Sequence, residues 1–225
     1  MRLLMKWFLA KWLLALFLAI TPVFAEEKDP VQTIKALVSV LSTHIVADSQ
    51  MKEAVSVSKD KALFQEHRKS NQKFHVQIAQ FIDFEKLGFD SMPKKWRDKY
   101  WVVKASEKKK FLELLQELVE GIVYPRAKEF FKDVKLSYKK PTYTDGGKYA
   151  DVVCVVHVKD KTATLRYRLV QQKDQWKIYD VNLEGEWWTD SLKSQFNHVI
   201  TTKSYNELIS LMQKKLKNVQ EGMSF

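Results

Sequence analysis

The stretch from Leu165 to Leu216 reads LRYRLVQQKDQWKIYDVNLEGEWWTDSLKSQFNHVITTKSYNELISLMQKKL, and its order of patterns decides the fold. It begins with two runs that are typical of β-strands, breaks at Gly185 and continues as an amphipathic helical pattern. Strands followed by helices indicate an α+β domain. The same order argues against a repeat array, a coiled coil or a parallel sheet.

Four segments in this part of the chain are rich in Val, Tyr, Thr and Trp and have an apolar period of two residues. The turns between them are short, which predicts an antiparallel meander. In one segment Ala163, Leu165 and Tyr167 alternate with polar residues, so one face of that strand is expected to be buried. The four predicted strands are 134–139, 148–158, 162–171 and 175–183.

Before residue 134 the apolar spacing is that of helices. Val31 to Ile45 forms one amphipathic stripe, and Asp83 to Gly88 is typical of a short helix with glycine just past its end. Ser106 is the predicted N-cap of the clearest helix. Helices, then strands, then helices again predict an α+β fold, with the helices on one side of a curved, four-stranded antiparallel sheet.

The first 25 residues have the three parts of a secretory signal peptide. Basic residues come first, an apolar run from Trp12 to Ile20 follows, and Ala25 ends the predicted cleavage site. The apolar run is too short for a membrane-spanning helix, which needs roughly 20 residues. We therefore expect a signal peptide at 1–25 and one domain at 26–225, with a helical part at about 30–132, a sheet part at about 133–185 and C-terminal helices after it.

The chain carries a formal net charge of +11. Removal of the leader takes away three of its 38 basic residues and no acidic one, so 35 remain against 27 and the mature charge is +8. A cationic surface suits nucleic acid, anionic lipid or an acidic protein. Because the chain is predicted to be exported, we expect no nucleic-acid partner. The single cysteine, Cys154, allows no intramolecular disulfide and is predicted to lie in a strand core.

The motifs of common enzymes and metal sites do not occur in the sequence. Its five histidines lack metal-ligand spacing, and it has no phosphate-binding glycine loop or nucleophile elbow. We expect no catalytic residue, no metal and no cofactor. Asp151 and Asp180 leave one alternative open, because a strand aspartate can act as a general base in a cavity, although more often it caps a backbone amide.

Aromatic residues make up 12% of the chain. Packing of helices on a sheet accounts for many aromatic side chains. An apolar hollow between the sheet and the helices would need the same composition, because ligand cavities have aromatic and aliphatic walls. Composition alone leaves both interpretations open.

Short motifs run in order along most of the chain behind the leader. They are Phe81-Ile82-Asp83-Phe84, Trp96, Ala105-Ser106-Glu107, Phe111, Leu115 and Tyr124 in the first half, and Tyr167-Arg168-Leu169, Trp176 to Val181, Leu183-Glu184-Gly185, Ser194-Gln195-Phe196 and Tyr205 to Ile209 with Leu216 in the second. In this order they resemble the MlaC-type phospholipid-transport proteins, also called the toluene-tolerance auxiliary family. Glu186 to Asp190 is bulkier and more charged than the small aliphatic run usual in that family.

The resemblance implies a non-enzymatic periplasmic carrier of phospholipid. It implies an outer-membrane lipoprotein complex and an inner-membrane ABC transporter with a lipid-binding periplasmic domain as partners, and a monomer suffices. It further implies a sheet of the nuclear-transport-factor-2-like kind and a helical subdomain with acyl chains between them. The side chains predicted to line this cavity are Phe84, Leu87, Leu118, Ile122, Tyr124, Leu165, Tyr167, Leu169, Tyr179, Val181 and Trp187.

Three other functions are compatible with the same residues. Related cone-shaped folds include enzymes, in which Asp151 or Asp180 would serve as the base. A carrier could hold a hopanoid or isoprenoid instead of a phospholipid. A periplasmic adaptor would use its aromatic residues only as core.

Overall fold

The computed structural model describes residues 29–58, 61–124, 134–158 and 161–220, so the predicted signal peptide at 1–25 lies outside the described residues. Helices occupy both ends of the described chain. They are α1 (Pro30–Ser58), α2 (Lys61–Ala79), α3 (Phe84–Ser91), α4 (Lys94–Trp96), α5 (Ala105–Leu118), α6 (Trp188–Thr202) and α7 (Tyr205–Gln220). π-Helical turns continue α4 and α5, at Arg97–Trp101 and Val119–Val123.

The sheet is antiparallel, and its order is β1-β3-β4-β5-β6, with β2 also paired to β3. Its strands are β1 (Lys135–Tyr138), β2 (Thr142–Thr144), β3 (Tyr149–Val158), β4 (Lys161–Gln172), β5 (Gln175–Leu183) and β6 (Glu186–Trp187). The α+β class is confirmed, but the predicted number of four strands was wrong. The four longer strands match the predicted segments. The two additional strands have three and two residues, too few for an alternating pattern to be visible in sequence.

A β-bulge in β5 fixes which residues share a face of the sheet. Arg168 pairs with Asp180 and Leu169 pairs with Ile178, so Tyr179 is the extra residue on β5. We call the side that carries Val152, Cys154, Leu165, Tyr167, Leu169, Ile178 and Val181 the apolar face. We call the opposite side, which carries Asp151, Arg166, Arg168 and Asp180, the charged face.

Helices contact both faces, whereas the sequence predicted helices on one side only. Val31 and Ile34 of α1 are buried against the apolar face. On the charged face, Asp180 accepts hydrogen bonds from the Thr189 backbone N (3.0 Å) and Oγ1 (2.7 Å) at the start of α6. The charged face is therefore partly covered because a buried carboxylate there binds a helix N-terminus.

The chain between α2 and α3 joins the helical half to the sheet. Ile82 lies beside Ile178 of β5 in a parallel bridge. The Asp83 backbone N donates to the Ile178 O, and the Ile178 N donates to the Phe81 O, both at 2.8 Å. The Asp83 side chain then accepts from the Lys86 N at 2.9 Å and caps α3. Three consecutive residues thus extend the sheet and begin a helix.

Two local predictions for the helices were wrong. Gly88 lies inside α3 and does not follow its end. A Cβ at this position would lie 2.3 Å from the Leu112 Cδ2, so the glycine allows α3 to approach α5 closely. Ser106 is the second residue of α5, whose N-cap is Lys104. The predicted break at Gly185 is confirmed, because Gly185 has φ +95° in the turn between β5 and β6.

We expect Asp83→Ala to lower the stability of the folded protein by about 1 kcal/mol, because the N-cap of α3 is lost. For a chain of this size that corresponds to a fall of roughly 2–4 °C in the midpoint of thermal unfolding, measured by circular dichroism. Asp98→Ala is the matched control, since the Asp98 carboxylate is exposed and pairs with Lys94 in the neighbouring turn. Equal midpoints for the two variants would contradict the role given to Asp83.

Candidate functional site

The apolar face of the sheet and the helix above it form the first part of the candidate site. Alternation along β3 and β4 places every second side chain on this face. α1 closes it from above, with Val31 and Ile34 buried against it. The buried residues of this sheet cluster are Val31, Ile34, Ala150, Val152, Cys154, Val156, Leu165, Tyr167, Leu169, Trp176 and Ile178.

Four of the side chains predicted to bind ligand lie together in the sheet cluster. Leu165, Tyr167 and Leu169 are buried there, and Val181 is partly buried against it. The pKa of Tyr167 is raised, chiefly because its hydroxyl is buried, with smaller contributions from Cys154 and Tyr138. Tyr167 is therefore neutral and presents an apolar ring with a polar tip on this face.

A second group of predicted side chains lies in the helical part. Leu87 and Tyr124 are buried in a helical cluster that contains Met92, Phe111 and Tyr205, and Phe84 and Leu118 pack against this cluster. Ile122 is partly buried on the π-helical turn and belongs to neither described cluster. Leu37 of α1 contacts both clusters, so α1 is the wall that they share.

The structure places Tyr179 and Trp187 on the charged face, away from the other predicted residues. The Lys86 Nζ lies 4.4 Å from the centroid of the Tyr179 ring, and the Arg168 Cζ lies 3.7 Å from that of Trp187. Strict alternation along β5 would have put Tyr179 on the same side as Val181, but the bulge removes that relation. These two rings therefore lie on the opposite side of the sheet from Leu165.

Two buried donors among these apolar side chains have no hydrogen-bond partner within the described residues: the Tyr124 hydroxyl and the Trp176 Nε1. Their residues are only 3% and 2% exposed. Burial raises the pKa of Tyr124, and the nearby Glu120 adds to the effect, so the hydroxyl keeps its proton. Buried donors are rarely left unpaired in folded proteins. Each therefore marks a place where a ligand acceptor could bind.

A groove of about 660 Å³ lies between α2 and α5 near Tyr124. The His75 ring is 5.7 Å from the Tyr124 ring, and its Nδ1 is 3.5 Å from the Glu120 Oε2. Burial would raise the pKa of Glu120, but hydrogen bonds from His75 and Gln116 outweigh it and lower that pKa. The groove is lined by Gln72, His75, Val76, Ala79, Gln80, Gln116 and Glu120.

Sequence reasoning omitted several residues of the sheet cluster from the predicted site. Val152 and Cys154 alternate on the apolar face, but β3 is apolar on both sides in sequence, so the pattern did not reveal which side was enclosed. Trp176 was recognised as the first residue of a family motif but was not among the residues predicted to bind ligand. Cys154 is buried, as predicted, and burial raises the pKa of its thiol to about 11 despite a hydrogen bond with Tyr138.

Asp180 is a structural carboxylate. Besides its contacts with Thr189, it accepts from the Val181 backbone N at 3.0 Å and lies 3.3 Å from the Arg168 Nη1. Asp151 is half-exposed and lies 3.7 Å from the Arg166 Nη2. Both aspartates are on the charged face, away from the apolar cluster. Among the residues that the structure describes, no group of His, Cys, Asp and Glu could hold a metal ion.

A comparison with known protein families identifies the family to which this chain belongs. Residues 48–214 match the family model described as MlaC protein. The chain belongs to the MlaC family. No curated protein matches it. Over the described helices, none is long and apolar enough to cross a membrane.

A solved structure shares the fold of this MlaC family member. It is the phospholipid-binding protein from Ralstonia solanacearum in complex with a phospholipid, which superimposes with a TM-score of 0.64 at 18% sequence identity. The match covers 85% of the present chain and 99% of the other. Similarity at this level of identity establishes the common fold.

We expect Asp180→Ala to destabilise the protein by on the order of 3 kcal/mol, because it leaves Arg168 and the two Thr189 donors without their acceptor. Asp151→Ala removes a partly exposed ion pair on the same face and should cost under about 1 kcal/mol. Urea unfolding followed by circular dichroism measures both. A small loss for Asp180→Ala, comparable with the control, would show that the carboxylate is free for another role.

Proposed function

We propose that this MlaC family member is a soluble periplasmic carrier that shuttles phospholipid between an outer-membrane lipoprotein complex and an inner-membrane ABC transporter with a lipid-binding periplasmic domain. Residues 26–225 act as one lipid-binding domain after removal of the leader, and no catalysis is involved. Membership of the family supports the class of ligand, as does the fold shared with a protein solved in complex with a phospholipid. The observation that carries the proposal is the pair of unpartnered donors buried among apolar side chains.

Acyl chains would lie between α1 and the apolar face of the sheet. Leu165, Tyr167, Leu169 and Val181 supply the sheet side, and Leu37 leads on to the helical cluster. From that cluster the proposed contacts are Phe84, Leu87, Leu118, Ile122 and Tyr124. Val31 and Ile34 already occupy the apolar face, so loading requires α1 to move and tails to replace its side chains there. One apolar contact replaces another, which keeps the free-energy change small.

Each of the two buried donors suits the hydrogen-bond acceptors that a phospholipid carries. A phospholipid offers ester carbonyl and phosphate oxygens, which accept hydrogen bonds but donate none when ionised. The Trp176 Nε1 can only donate, and the protonated Tyr124 hydroxyl can donate as well. Each pairing would satisfy a group that is otherwise costly to bury.

Direct transfer to a docked partner follows from the cost of exposing the lipid. At about 0.8 kcal/mol for each buried methylene, two chains of about 16 carbons cost on the order of 25 kcal/mol to place in water. Release into the solvent is negligible at that cost. The tails must pass from one apolar environment to another within a complex, and the reaction needs neither a cofactor nor a covalent step.

We expect Tyr167→Asp to abolish co-purified phospholipid, because a carboxylate on the apolar face would have to be buried beside the tails. Thr164→Asp is the matched control, since Thr164 is exposed on the opposite side of the same strand. Organic extraction followed by mass spectrometry measures the lipid, and circular dichroism checks the fold.

Ala163→Trp is a second variant that tests the same face in case Tyr167→Asp fails to fold. Ala163 is partly buried on the apolar face, and the larger ring fills space there without adding a charge. It should reduce bound lipid in a protein that remains folded. Unchanged lipid in both Tyr167→Asp and Ala163→Trp would refute binding at the apolar face.

Trp176→Phe should have opposite effects on the empty and loaded protein. Without lipid it removes an unpaired buried donor, so the free energy of unfolding should rise or stay equal, by up to about 1 kcal/mol. With lipid it removes a hydrogen bond, so the lipid should dissociate several times faster. Thermal unfolding of delipidated protein and transfer of a fluorescent phospholipid to acceptor vesicles give the two measurements. Equal destabilisation of both forms would indicate a purely structural indole.

A further inference from the structure

The turn that follows α4 presents two apolar side chains to solvent. Val102 is 78% exposed and Val103 is 72% exposed, and they are consecutive. Isolated exposed valines are common on protein surfaces, but two together at a protruding turn form a small apolar tip. We call residues 94–104, which contain this tip, the cationic turn.

The segment that carries the tip is rich in cations, two of which lie against aromatic rings. The cationic turn has five basic residues and one acid, Asp98, which pairs with Lys94. The Lys95 Nζ is 4.5 Å from the Trp96 ring centroid, and the Lys99 Nζ is 5.4 Å from that of Tyr100. Long lysine stems can lie along apolar surface while their ammonium groups stay in water.

The tip is held in place by the helical core beneath it. The Val102 N donates to the Arg97 O at 3.1 Å, which closes the π-helical turn. Trp101 is buried next to the tip, and its Nε1 donates to the Tyr205 hydroxyl at 3.2 Å. The Tyr100 ring stacks on that of Tyr205 with centroids 4.3 Å apart. Binding through the tip therefore costs little conformational entropy.

We propose that the cationic turn docks the protein on bilayer surfaces that contain anionic lipid, with Val102 and Val103 entering the boundary between headgroups and acyl chains. Lys95, Lys99 and Lys104 would lie at the level of the lipid phosphates. This attachment is additional to the proposed carriage of lipid and does not depend on it.

The composition of the cationic turn favours a bilayer over a protein partner. Exposed lysines near a membrane surface bind its anionic headgroups. The buried centres of protein interfaces, in contrast, are depleted of lysine. An apolar tip in the same turn as several exposed lysines matches the membrane surface, since the tip can enter the bilayer while the lysine ammonium groups remain hydrated. Such binding is weak, reversible and sensitive to salt.

Sedimentation of the whole mature protein with vesicles tests the proposal. We expect it to bind vesicles of phosphatidylcholine mixed with phosphatidylglycerol, to lose this binding at high salt, and to bind phosphatidylcholine alone much less. Val102→Asp combined with Val103→Asp should weaken binding to the mixed vesicles about tenfold or more. Leu211→Asp, on α7, is the control for a new charge at an exposed apolar residue, and it should bind vesicles like the original protein.

Two double lysine variants test whether vesicle binding depends on the charge of the cationic turn or on the net charge of the protein. Lys99→Gln with Lys104→Gln should weaken binding more than Lys139→Gln with Lys140→Gln, although both remove two exposed positive charges. Equal losses for the two pairs would mean that net charge alone attracts the protein, which would overturn the proposal. Failure of the original protein to sediment with the mixed vesicles would overturn it as well.

A label at the tip reports insertion directly. Val102→Cys can be modified with an environment-sensitive dye at neutral pH, because the native Cys154 is buried and its thiol pKa is about 11. We expect a blue shift of the dye emission on mixed vesicles and none on phosphatidylcholine. The contrary result is a dye emission that shifts with neither kind of vesicle but does shift when a periplasmic protein is added. That result would assign the tip to a protein partner and refute docking on a bilayer. Retention of bound phospholipid in each variant keeps this result separate from the carrier function.

Discussion

The parallel bridge between residues 81–83 and Ile178 is the constraint on which the rest of the structure depends. It pairs the chain after α2 with an edge of β5 that β6 leaves open, since β6 pairs only with the last two residues of that strand. Asp83 then caps α3, and Gly88 allows α3 to lie close against α5. The helical cluster is thereby held at a fixed position beside the sheet. In a chain with a single cysteine, backbone pairing and burial must supply this rigidity.

The bulge at Tyr179 is the second constraint, because it decides what each side of the sheet can do. Side chains alternate between faces, so one extra residue turns the residues after it to the opposite side and places Asp180 on the charged face. The buried side chains of the sheet cluster are uncharged, while the arginines of the other face are paired with carboxylates or lie against aromatic rings. Separation of the two kinds of side chain allows one face to pack against α1 and the other to anchor α6 through Asp180.

Sequence predicted the features that depend on local pattern. The four longer strands and the break at Gly185 follow from periodicity and turn chemistry, and ordered motifs such as Trp176 to Val181 indicated the family. The features it missed depend on contacts between distant segments. Gly88 serves a helix crossing and not a helix end, and the position of Tyr179 depends on a register shift that alternation cannot show. Trp187 lies opposite Asn182 because the chain turns between β5 and β6. The two short strands carry too few residues for any period.

For the proposed carrier, the position of α1 bears on how transport is driven. Val31 and Ile34 cover the apolar face in the structure, so an empty protein keeps that face out of water with its own side chains. When acyl chains replace those side chains, one buried apolar contact replaces another. The free-energy change of this exchange is small compared with the roughly 25 kcal/mol needed to expose the tails to water. A carrier with nearly balanced empty and loaded states releases lipid to any partner whose site is slightly more favourable. The partners would then set the direction of transport, and this chain would only carry the lipid between them.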